Sequence, residues 1–138
     1  MRANQKVTAD TNILASAYAF PSALTQRFIA MAAENVFTMC LSEEILEEFS
    51  RVIEFKLKFS ATDCSRFISH IRSFTSIVKP TVKICIVRND PTDNKIIEAA
   101  ASAGSSIIVS GDNHLFSLKK YKKIEIIRLS DFIRASYS

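Results

Sequence analysis

The sequence lacks the features of a membrane-embedded, secreted or repetitive protein. No apolar run in it is as long as a membrane-spanning helix needs, which is roughly 20 residues. The N-terminal segment "MRANQKVTAD" contains no apolar block typical of a signal peptide. The chain has only two glycines among 138 residues, and no low-complexity tract or linker interrupts it. We therefore expect a single domain over residues 1–138, located in the cytoplasm and not bound to a membrane.

Cysteine and histidine are too sparse to form a metal site of soft ligands. The three cysteines, Cys40, Cys64 and Cys85, lie far apart and form no C-x-x-C pair. This spacing supports neither zinc binding nor a disulfide framework. Only two histidines, His70 and His114, are available. We interpret the cysteines as buried free thiols in a reducing compartment.

The sequence does contain a regular alternation of strand-like and helix-like patterns. Apolar runs of strand length alternate with amphipathic segments. Hydrophobic residues make up 48% of the chain. This order predicts an α/β fold, a three-layer α/β/α sandwich with a mainly parallel central sheet. The predicted strands are 5–9, 36–41, 82–87, 106–110 and 124–129. The predicted helices are 12–20, 22–35, 42–58, 62–80, 93–103, 113–120 and 130–136, with N-caps at Ser22, Ser42 and Thr62 and a C-cap at Gly104.

Aspartates follow three of the predicted strands. Asp10 follows the first strand, Asp93 opens the helix after residues 82–87, and Asp112 follows residues 106–110. The carboxyl ends of parallel strands meet at one edge of a sheet, where the functional crevice of such folds lies. We therefore expect these carboxylates to lie together. Each also has a simpler interpretation, because aspartate is common in turns and at helix N-caps.

A fourth acidic residue comes from the helix "SEEILEEFSRVIEF", which contains five glutamates. Its apolar stripe consists of Ile45, Leu46, Phe49, Val52 and Ile53. Glu48 lies nearest this stripe, whereas the other four glutamates fall away from it and are expected to be solvated. Glu48 is thus the glutamate that can face the crevice, unless it is a solvated residue at the boundary of the stripe.

Four converging carboxylates would repel one another unless they bound protons or cations. Because no histidine or thiolate accompanies them, they suit hard cations such as Mg²⁺ or Mn²⁺. Two such ions about 3.5–4 Å apart can activate a water molecule and stabilise the leaving oxygen of a phosphodiester. The pattern therefore favours hydrolysis of a nucleic-acid backbone.

Four segments of the chain resemble those of the PIN-domain nucleases, and in particular the VapC toxins of bacterial toxin–antitoxin pairs. The segments are "ADTNILAS", "EEILEEFSRVI", "DPTDNKIIEAA" and "IIVSGDNHLF". The resemblance implies an endoribonuclease in which an acidic quartet holds one or two Mg²⁺ or Mn²⁺ ions. It places that quartet on Asp10, Glu48, Asp93 and Asp112. It also implies an RNA substrate, an antitoxin protein as partner, and a homodimer.

The resemblance also assigns supporting residues. Asn12 matches an amide that orients the first aspartate, and Ser110 matches a hydroxyl beside the last one. Many relatives have a further acid where this chain has His114, so occupancy of a second ion stays open. His114 itself is more simply a surface or partly packed histidine. A non-catalytic PIN-fold module that binds RNA or protein is the alternative function.

Basic residues outnumber acidic ones, 18 against 14. If the four proposed ligands are set aside, the remaining surface is distinctly positive, which suits a phosphate backbone. The densest cluster follows Asp112 closely in sequence and consists of Lys119, Lys120, Lys122 and Lys123. We predict that these lysines bind RNA, although a run of charge is often no more than a solvated turn.

Overall fold

The structure, a computed structural model, describes residues 5–81, 91–111 and 120–136, with the side chains of residues 91–93 excepted. The strands in these ranges are β1 (Lys6–Ala9), β2 (Thr38–Ser42), β3 (Thr75–Val78), β4 (Ile107–Val109), β5 (Lys120–Tyr121) and β6 (Ile124–Ile127). The helices are α1 (Thr11–Ala19), α2 (Ala23–Ala33), α3 (Glu43–Arg51), α4 (Ala61–Phe74), α5 (Pro91–Ala103) and α6 (Leu129–Ala135). A π-helical turn over Val52–Lys56 continues α3.

The strands form one sheet in the order β3-β2-β1-β4-β6-β5. All neighbouring strands run parallel except β5, which is antiparallel to β6. Helices pack against this sheet, so the predicted α/β/α sandwich with a mainly parallel sheet is confirmed. The end of the sheet where β1, β2, β3, β4 and β6 finish is called the carboxyl edge here, and the opposite end the amino edge.

The core contains a cluster of three phenylalanines that joins α2 to α6. Phe28, Phe37 and Phe132 are fully buried. Their ring centroids lie 5.2 to 5.5 Å apart, mostly edge to face. Burial of each ring contributes roughly 1.5–3 kcal/mol to stability. The apolar face of α2 is therefore fixed against the last helix.

Helix ends follow the predicted capping residues in most places. The Ser22 hydroxyl accepts the Thr25 N–H at 3.2 Å, and the Ser42 hydroxyl accepts the Ile45 N–H at 3.2 Å. Gly104 has a φ of 76° directly after α5. This is a left-handed conformation that favours glycine. Local side-chain chemistry thus accounts for these three boundaries.

The segment around α4 differs from the prediction. Its N-cap is Ser60 and not Thr62, because the Ser60 hydroxyl accepts the Asp63 N–H at 3.0 Å. The predicted helix also ran on past residue 78, but α4 ends at Phe74 and β3 follows it. β3 is rich in β-branched residues and pairs with β2 over its whole length. Sheet pairing therefore overrides the helical spacing of the apolar residues.

Several smaller predictions can be compared with the structure. The second strand begins at Thr38 and not at residue 36, and Leu24, expected on the buried face of α2, is 40% exposed. Cys40 and Cys64 are buried free thiols, as predicted. Lys120 belongs to strand β5 and not to a helix over 113–120. The predicted strand 82–87, Cys85 and the rest of the predicted helix lie outside the described residues.

Among the described residues, no helix combines the length and the apolar character that crossing a membrane would require.

Candidate active site

Asp10 lies at the carboxyl edge, directly after β1, and its residue surface is 1% exposed. Its backbone N–H donates to the Val109 carbonyl at 3.1 Å, so the pairing of β1 with β4 continues one residue past the strand. Asp10 has extended backbone angles and forms the N-cap of α1. The strand therefore passes directly into a helix, with a buried acid at the junction.

Within the described ranges, three donors from two parts of the chain bind the Asp10 carboxylate. The Ile13 N–H donates to Oδ1 at 2.8 Å, which is the capping bond of α1. The Ser110 hydroxyl donates to Oδ2 at 2.6 Å, and the Gly111 N–H donates to the same oxygen at 3.3 Å. These bonds offset part of the cost of burying a carboxylate and fix its orientation. Asp10 is thus a helix cap and at the same time an oriented carboxylate at the sheet edge.

The resemblance placed the Ser110 hydroxyl beside the last aspartate, Asp112, which lies outside the described residues; in the structure this hydroxyl donates to Asp10. Ser110 is fully buried, and its backbone N–H donates to the Ile127 carbonyl of β6 at 3.0 Å. Asn12 is placed differently from the expectation, because its side chain is exposed on the first turn of α1. Ser110, Gly111 and Ile13 orient the Asp10 carboxylate in its place, since Asp10 itself fills the capping position and Asn12 is directed outward.

Glu48 lies at the boundary of the apolar face of α3, as its position in the helix predicted. Its side chain is 28% exposed, whereas Ile45 and Phe49 on the same helix are buried. Its carboxylate accepts a hydrogen bond from Arg51 at 2.8 Å. Glu48 therefore already has a cationic partner on its own helix.

The remaining predicted ligands are only partly described. Asp93 lies in the first turn of α5, but its side chain is not described. Asp112 and His114 lie outside the described residues, although Asp112 directly follows Gly111 in the sequence. Within residues 5–81, 94–111 and 120–136, no group of three or more histidine, cysteine or acidic side chains is close enough to hold a metal ion. A buried carboxylate offers the oxygen ligands that Mg²⁺ and Mn²⁺ prefer, so Asp10 fits such an ion.

The predicted lysine cluster does not lie beside Asp10. Lys122 and Lys123 form the turn before β6, and β6 runs parallel to β4 and β1. The turn is therefore at the amino edge, whereas Asp10 is at the carboxyl edge. Closeness to Asp112 in sequence therefore did not predict closeness to Asp10 in space. A strand parallel to β4 has to begin at the amino edge, so the turn before β6 lies there. Lys119 lies outside the described residues.

Other charged residues at the carboxyl edge were missed from the sequence. Lys79 and Arg128 directly follow β3 and β6, and both are exposed. The rule that selected the aspartates, a charged residue just after a predicted strand, did not select Arg128, because the predicted strand ran on to residue 129 whereas β6 ends at Ile127.

Glu43, at the start of α3, was expected to be a solvated charge. It is exposed, as predicted, and Arg72 of α4 donates two hydrogen bonds of 2.7 Å to its carboxylate, a pairing that the sequence did not indicate. These hydrogen bonds, and the charge of the guanidinium, lower the pKa of Glu43. Glu43 is therefore a paired acid that links α3 to α4.

Comparison with known proteins identifies the class of protein to which this site belongs. Residues 6–114 match the PIN domain family. The chain therefore belongs to this family, whose members are nucleases that generally use divalent metal ions. Its relatives include the uncharacterized protein MJ1680 of Methanocaldococcus jannaschii, which is 30% identical over 131 residues, 90% of this chain and 83% of that protein.

Two solved structures share the fold. The crystal structure of PAE2754 from Pyrobaculum aerophilum has a TM-score of 0.63 and 14% identity, covering 99% of this chain and 92% of that one. The crystal structure of VapBC2 from Rickettsia felis, bound to a DNA fragment from their promoter, has a TM-score of 0.65 and 15% identity. That match covers 88% of this chain and 97% of the other.

Proposed function

We propose that the protein is a metal-dependent endoribonuclease and the toxin of a toxin–antitoxin pair. The observation that carries this proposal is the buried Asp10 carboxylate, which Ser110 and Gly111 orient at the carboxyl edge of a parallel sheet. An acid with no chemical task at this position would be costly to bury, whereas an oriented oxygen ligand is what a hard cation requires.

Asp10, Glu48, Asp93 and Asp112 would hold one or two Mg²⁺ or Mn²⁺ ions. When bound, such an ion supplies Lewis-acid chemistry, activating a water molecule and stabilising the leaving oxygen of a phosphodiester. Ser110 and Gly111 keep the Asp10 carboxylate in a single orientation. Glu48 has to share its carboxylate with Arg51 or release Arg51 in order to act as a ligand.

The substrate would reach this site along the carboxyl edge. Lys79 and Arg128 project from the ends of β3 and β6, on the two sides of Asp10 in the strand order. Their positive charge suits the phosphates on either side of the cleaved bond. These two residues are therefore our candidates for positioning RNA next to the acidic residues.

The assignment as a toxin is supported by the fold shared with VapBC2, which was solved with DNA from its own promoter. By the same argument, we propose a cytoplasmic homodimer that is restrained by a cognate antitoxin protein. A small neighbouring gene for a DNA-binding protein is the expected genetic context. Its absence, together with no effect of expression on growth, would count against the role as a toxin.

Cleavage of RNA with Mg²⁺ or Mn²⁺ tests the enzymatic part of the proposal. We expect Asp10→Asn and Asp93→Asn to lower the rate by more than about 100-fold, because changes to the outer partners of metal ligands alone cost about 10–100-fold. The matched control is Asp131→Asn, which removes an exposed carboxylate on α6. Equal rates in all four proteins would refute the assignment of the site.

Folding and ion binding need separate measurements in this experiment. Asparagine offers one oxygen where aspartate offers two, so Asp10→Asn leaves either the Ile13 or the Gly111 N–H without its acceptor, at a cost of about 1–3 kcal/mol. Melting curves therefore accompany each rate. Mn²⁺ at about 100 times its Kd should stabilise the wild type by about 2.7 kcal/mol. Bound RNA without cleavage would identify a non-catalytic PIN-fold module instead.

A further inference from the structure

A short β-hairpin at the amino edge has a concentrated positive charge. It consists of Lys120, Tyr121, Lys122 and Lys123 and is called the basic hairpin here. Tyr121 pairs with Ile124 across a two-residue turn, so the turn itself is formed by Lys122 and Lys123. All three lysines are exposed. The hairpin therefore holds three cations on a compact, hydrogen-bonded element.

No ion pair engages these charges within the described part of the chain, although Lys120 lies opposite Glu125 in the pairing of β5 with β6. Among the described residues, the ion pairs are all formed by arginines, and none involves a lysine of the basic hairpin. Lys6, at the same edge, differs because its ammonium donates to the Ala103 carbonyl at 3.1 Å. A cation at the C-terminal end of a helix stabilises that helix, so Lys6 has a structural role. Within the described part of the chain, the hairpin lysines make no comparable contact with the backbone or with carboxylates.

Lys122 is also held in an unfavourable backbone conformation. Its φ is 52°. This lies in the left-handed region, where a non-glycine residue costs roughly 1–2 kcal/mol. Glycine would remove this cost at the first position of the turn. The ammonium of Lys122 lies 5.5 Å from the centre of the Tyr121 ring. Attraction to the ring restrains the side chain.

The exposed cations of this surface suit a polyanion, although Tyr121 and Ile124 of the same segment also line a cavity with Ala100 and Ala101. The large exposed hydrophobic residues of the described chain are Phe20, Leu24, Val36, Phe55 and Ile77, and none lies in the basic hairpin. Protein interfaces need buried aromatic or aliphatic anchors, whereas binding to a phosphate backbone needs mainly cations.

We propose that the basic hairpin is a second binding surface for single-stranded RNA, separate from the edge where cleavage would occur. This inference rests on the proposed function, because it takes RNA as the substrate. The strands between the two edges rise about 3.3 Å per residue, so the two surfaces are at least about 10 Å apart. The hairpin therefore anchors RNA at a distance from the cleaved bond. Its contribution should appear in KM and not in kcat.

Fluorescence anisotropy with a labelled 24-nucleotide single-stranded RNA tests the proposal in EDTA, where no cleavage takes place. Lys122→Gly should bind about two- to fivefold more weakly at 0.1 M salt, because one phosphate contact on single-stranded RNA is lost. The variant should nevertheless melt at or above the wild-type temperature, because the strained backbone is relieved. If Lys122 had only a structural role, its replacement would not lower the affinity for RNA while leaving the melting temperature unchanged or higher.

The triple variant Lys120→Gln, Lys122→Gly, Lys123→Gln should weaken binding about 10- to 100-fold. It should also lower the slope of log K against log salt by about 2, or about 0.7 for each contact. The matched control for the single variant Lys122→Gly is Lys58→Gly, which also removes one positive charge and relieves a φ of 61°. Lys58 follows the helix after β2, in the other half of the strand order from β5. The control should bind RNA like the wild type.

Four results would overturn the inference. The first two are unchanged RNA binding by the triple variant and a loss of affinity in Lys58→Gly that equals the loss in Lys122→Gly. The third is displacement of the bound RNA by polyglutamate at equal charge. The fourth is a KM for a long RNA that is no higher in the triple variant than in the wild type. The proposed function is judged separately. If the wild type cleaves no RNA but the hairpin variants bind it weakly, the nuclease proposal fails and the second binding surface remains.

Discussion

The two edges of the sheet hold their charges in opposite ways. At the carboxyl edge Asp10 is buried, and three hydrogen bonds fix both of its oxygens. At the amino edge the lysines of the basic hairpin are exposed, with no ion pair among the described residues. A buried, oriented charge can act on one atom of a substrate, whereas exposed charges attract any part of a polyanion and are screened by salt. Among the described residues, the carboxyl edge thus combines an oriented carboxylate with the exposed charges of Lys79 and Arg128, whereas the basic hairpin offers exposed charge without an oriented acid.

The largest expected difference between the two edges comes from replacing one buried serine near each of them. Ser110→Ala deletes the 2.6 Å hydrogen bond to Asp10. We expect a loss of RNA cleavage of about 10–100-fold. Ser105→Ala deletes the buried 2.9 Å hydrogen bond to Thr8, towards the amino edge, and should leave the rate unchanged. Rates under saturating Mn²⁺ measure the difference.

Stability provides the control for this pair. Both serine variants leave a buried partner without its hydrogen bond, so urea unfolding should show a similar loss of about 1–3 kcal/mol in each. A loss of cleavage in Ser105→Ala that equals the loss in Ser110→Ala would mean that activity follows overall stability and not the carboxyl edge.

A smaller effect, on the affinity for Mn²⁺, is expected when Arg51, the partner of Glu48, is replaced. Removing the guanidinium in Arg51→Ala frees the Glu48 carboxylate, and exposed ion pairs of this kind are worth about 0.2–1 kcal/mol. We therefore expect Mn²⁺ to bind up to about fivefold more tightly, as measured by calorimetry. Arg66→Ala, which breaks an exposed i,i+3 pair with Asp63 on α4, is the matched control. Unchanged affinity in Arg51→Ala would argue against Glu48 as a ligand.

The smallest effect concerns the pair between Glu43 and Arg72. Arg72 lowers the pKa of Glu43. The pair therefore stabilises the folded chain above the ordinary glutamate pKa of about 4.3. This stability is lost as the pH falls through the lowered pKa of Glu43. The pair is exposed, so Arg72→Ala should cost less than about 1 kcal/mol at pH 7 and 0.1 M salt.

Urea unfolding from pH 7 to pH 3 measures the contribution of the pair between Glu43 and Arg72 to the free energy of unfolding. The difference between Arg72→Ala and the wild type should shrink towards zero in acid and should also shrink in 1 M salt. A difference that grew in acid would show that Arg72 acts through its packing and not through Glu43.

Features that depend on neighbouring residues in the chain could be predicted from the sequence. The strand before Asp10, the capping serines Ser22 and Ser42, and the boundary position of Glu48 all follow from local spacing and side-chain chemistry. That Asp10 and the residues after β4 lie at one edge of the sheet could be expected, because parallel strands bring their carboxyl ends together, but the hydrogen bond between Ser110 and Asp10 was not predicted.

Features that depend on pairing between distant segments could not be predicted in this way. Residues 75–78 continue a helical spacing, and only their pairing with β2 makes them a strand. The lysines after residue 118 follow Asp112 closely in sequence, but the direction of β6 places the turn at the other edge. Local patterns indicate which residues are charged or apolar, but the sheet decides where those residues meet.

The hydrogen bond between Ser110 and Asp10 also has a consequence for the synthesis of the protein. The two residues are 100 positions apart in the chain. A ribosome therefore makes Asp10 long before it makes the residue that orients it. Until β4 has left the ribosome and paired with β1, the Asp10 carboxylate has at most its local capping bond from the Ile13 N–H and lacks the hydrogen bond from the Ser110 hydroxyl. The Oδ2 oxygen of Asp10 is therefore oriented only in a chain whose β1 and β4 have paired.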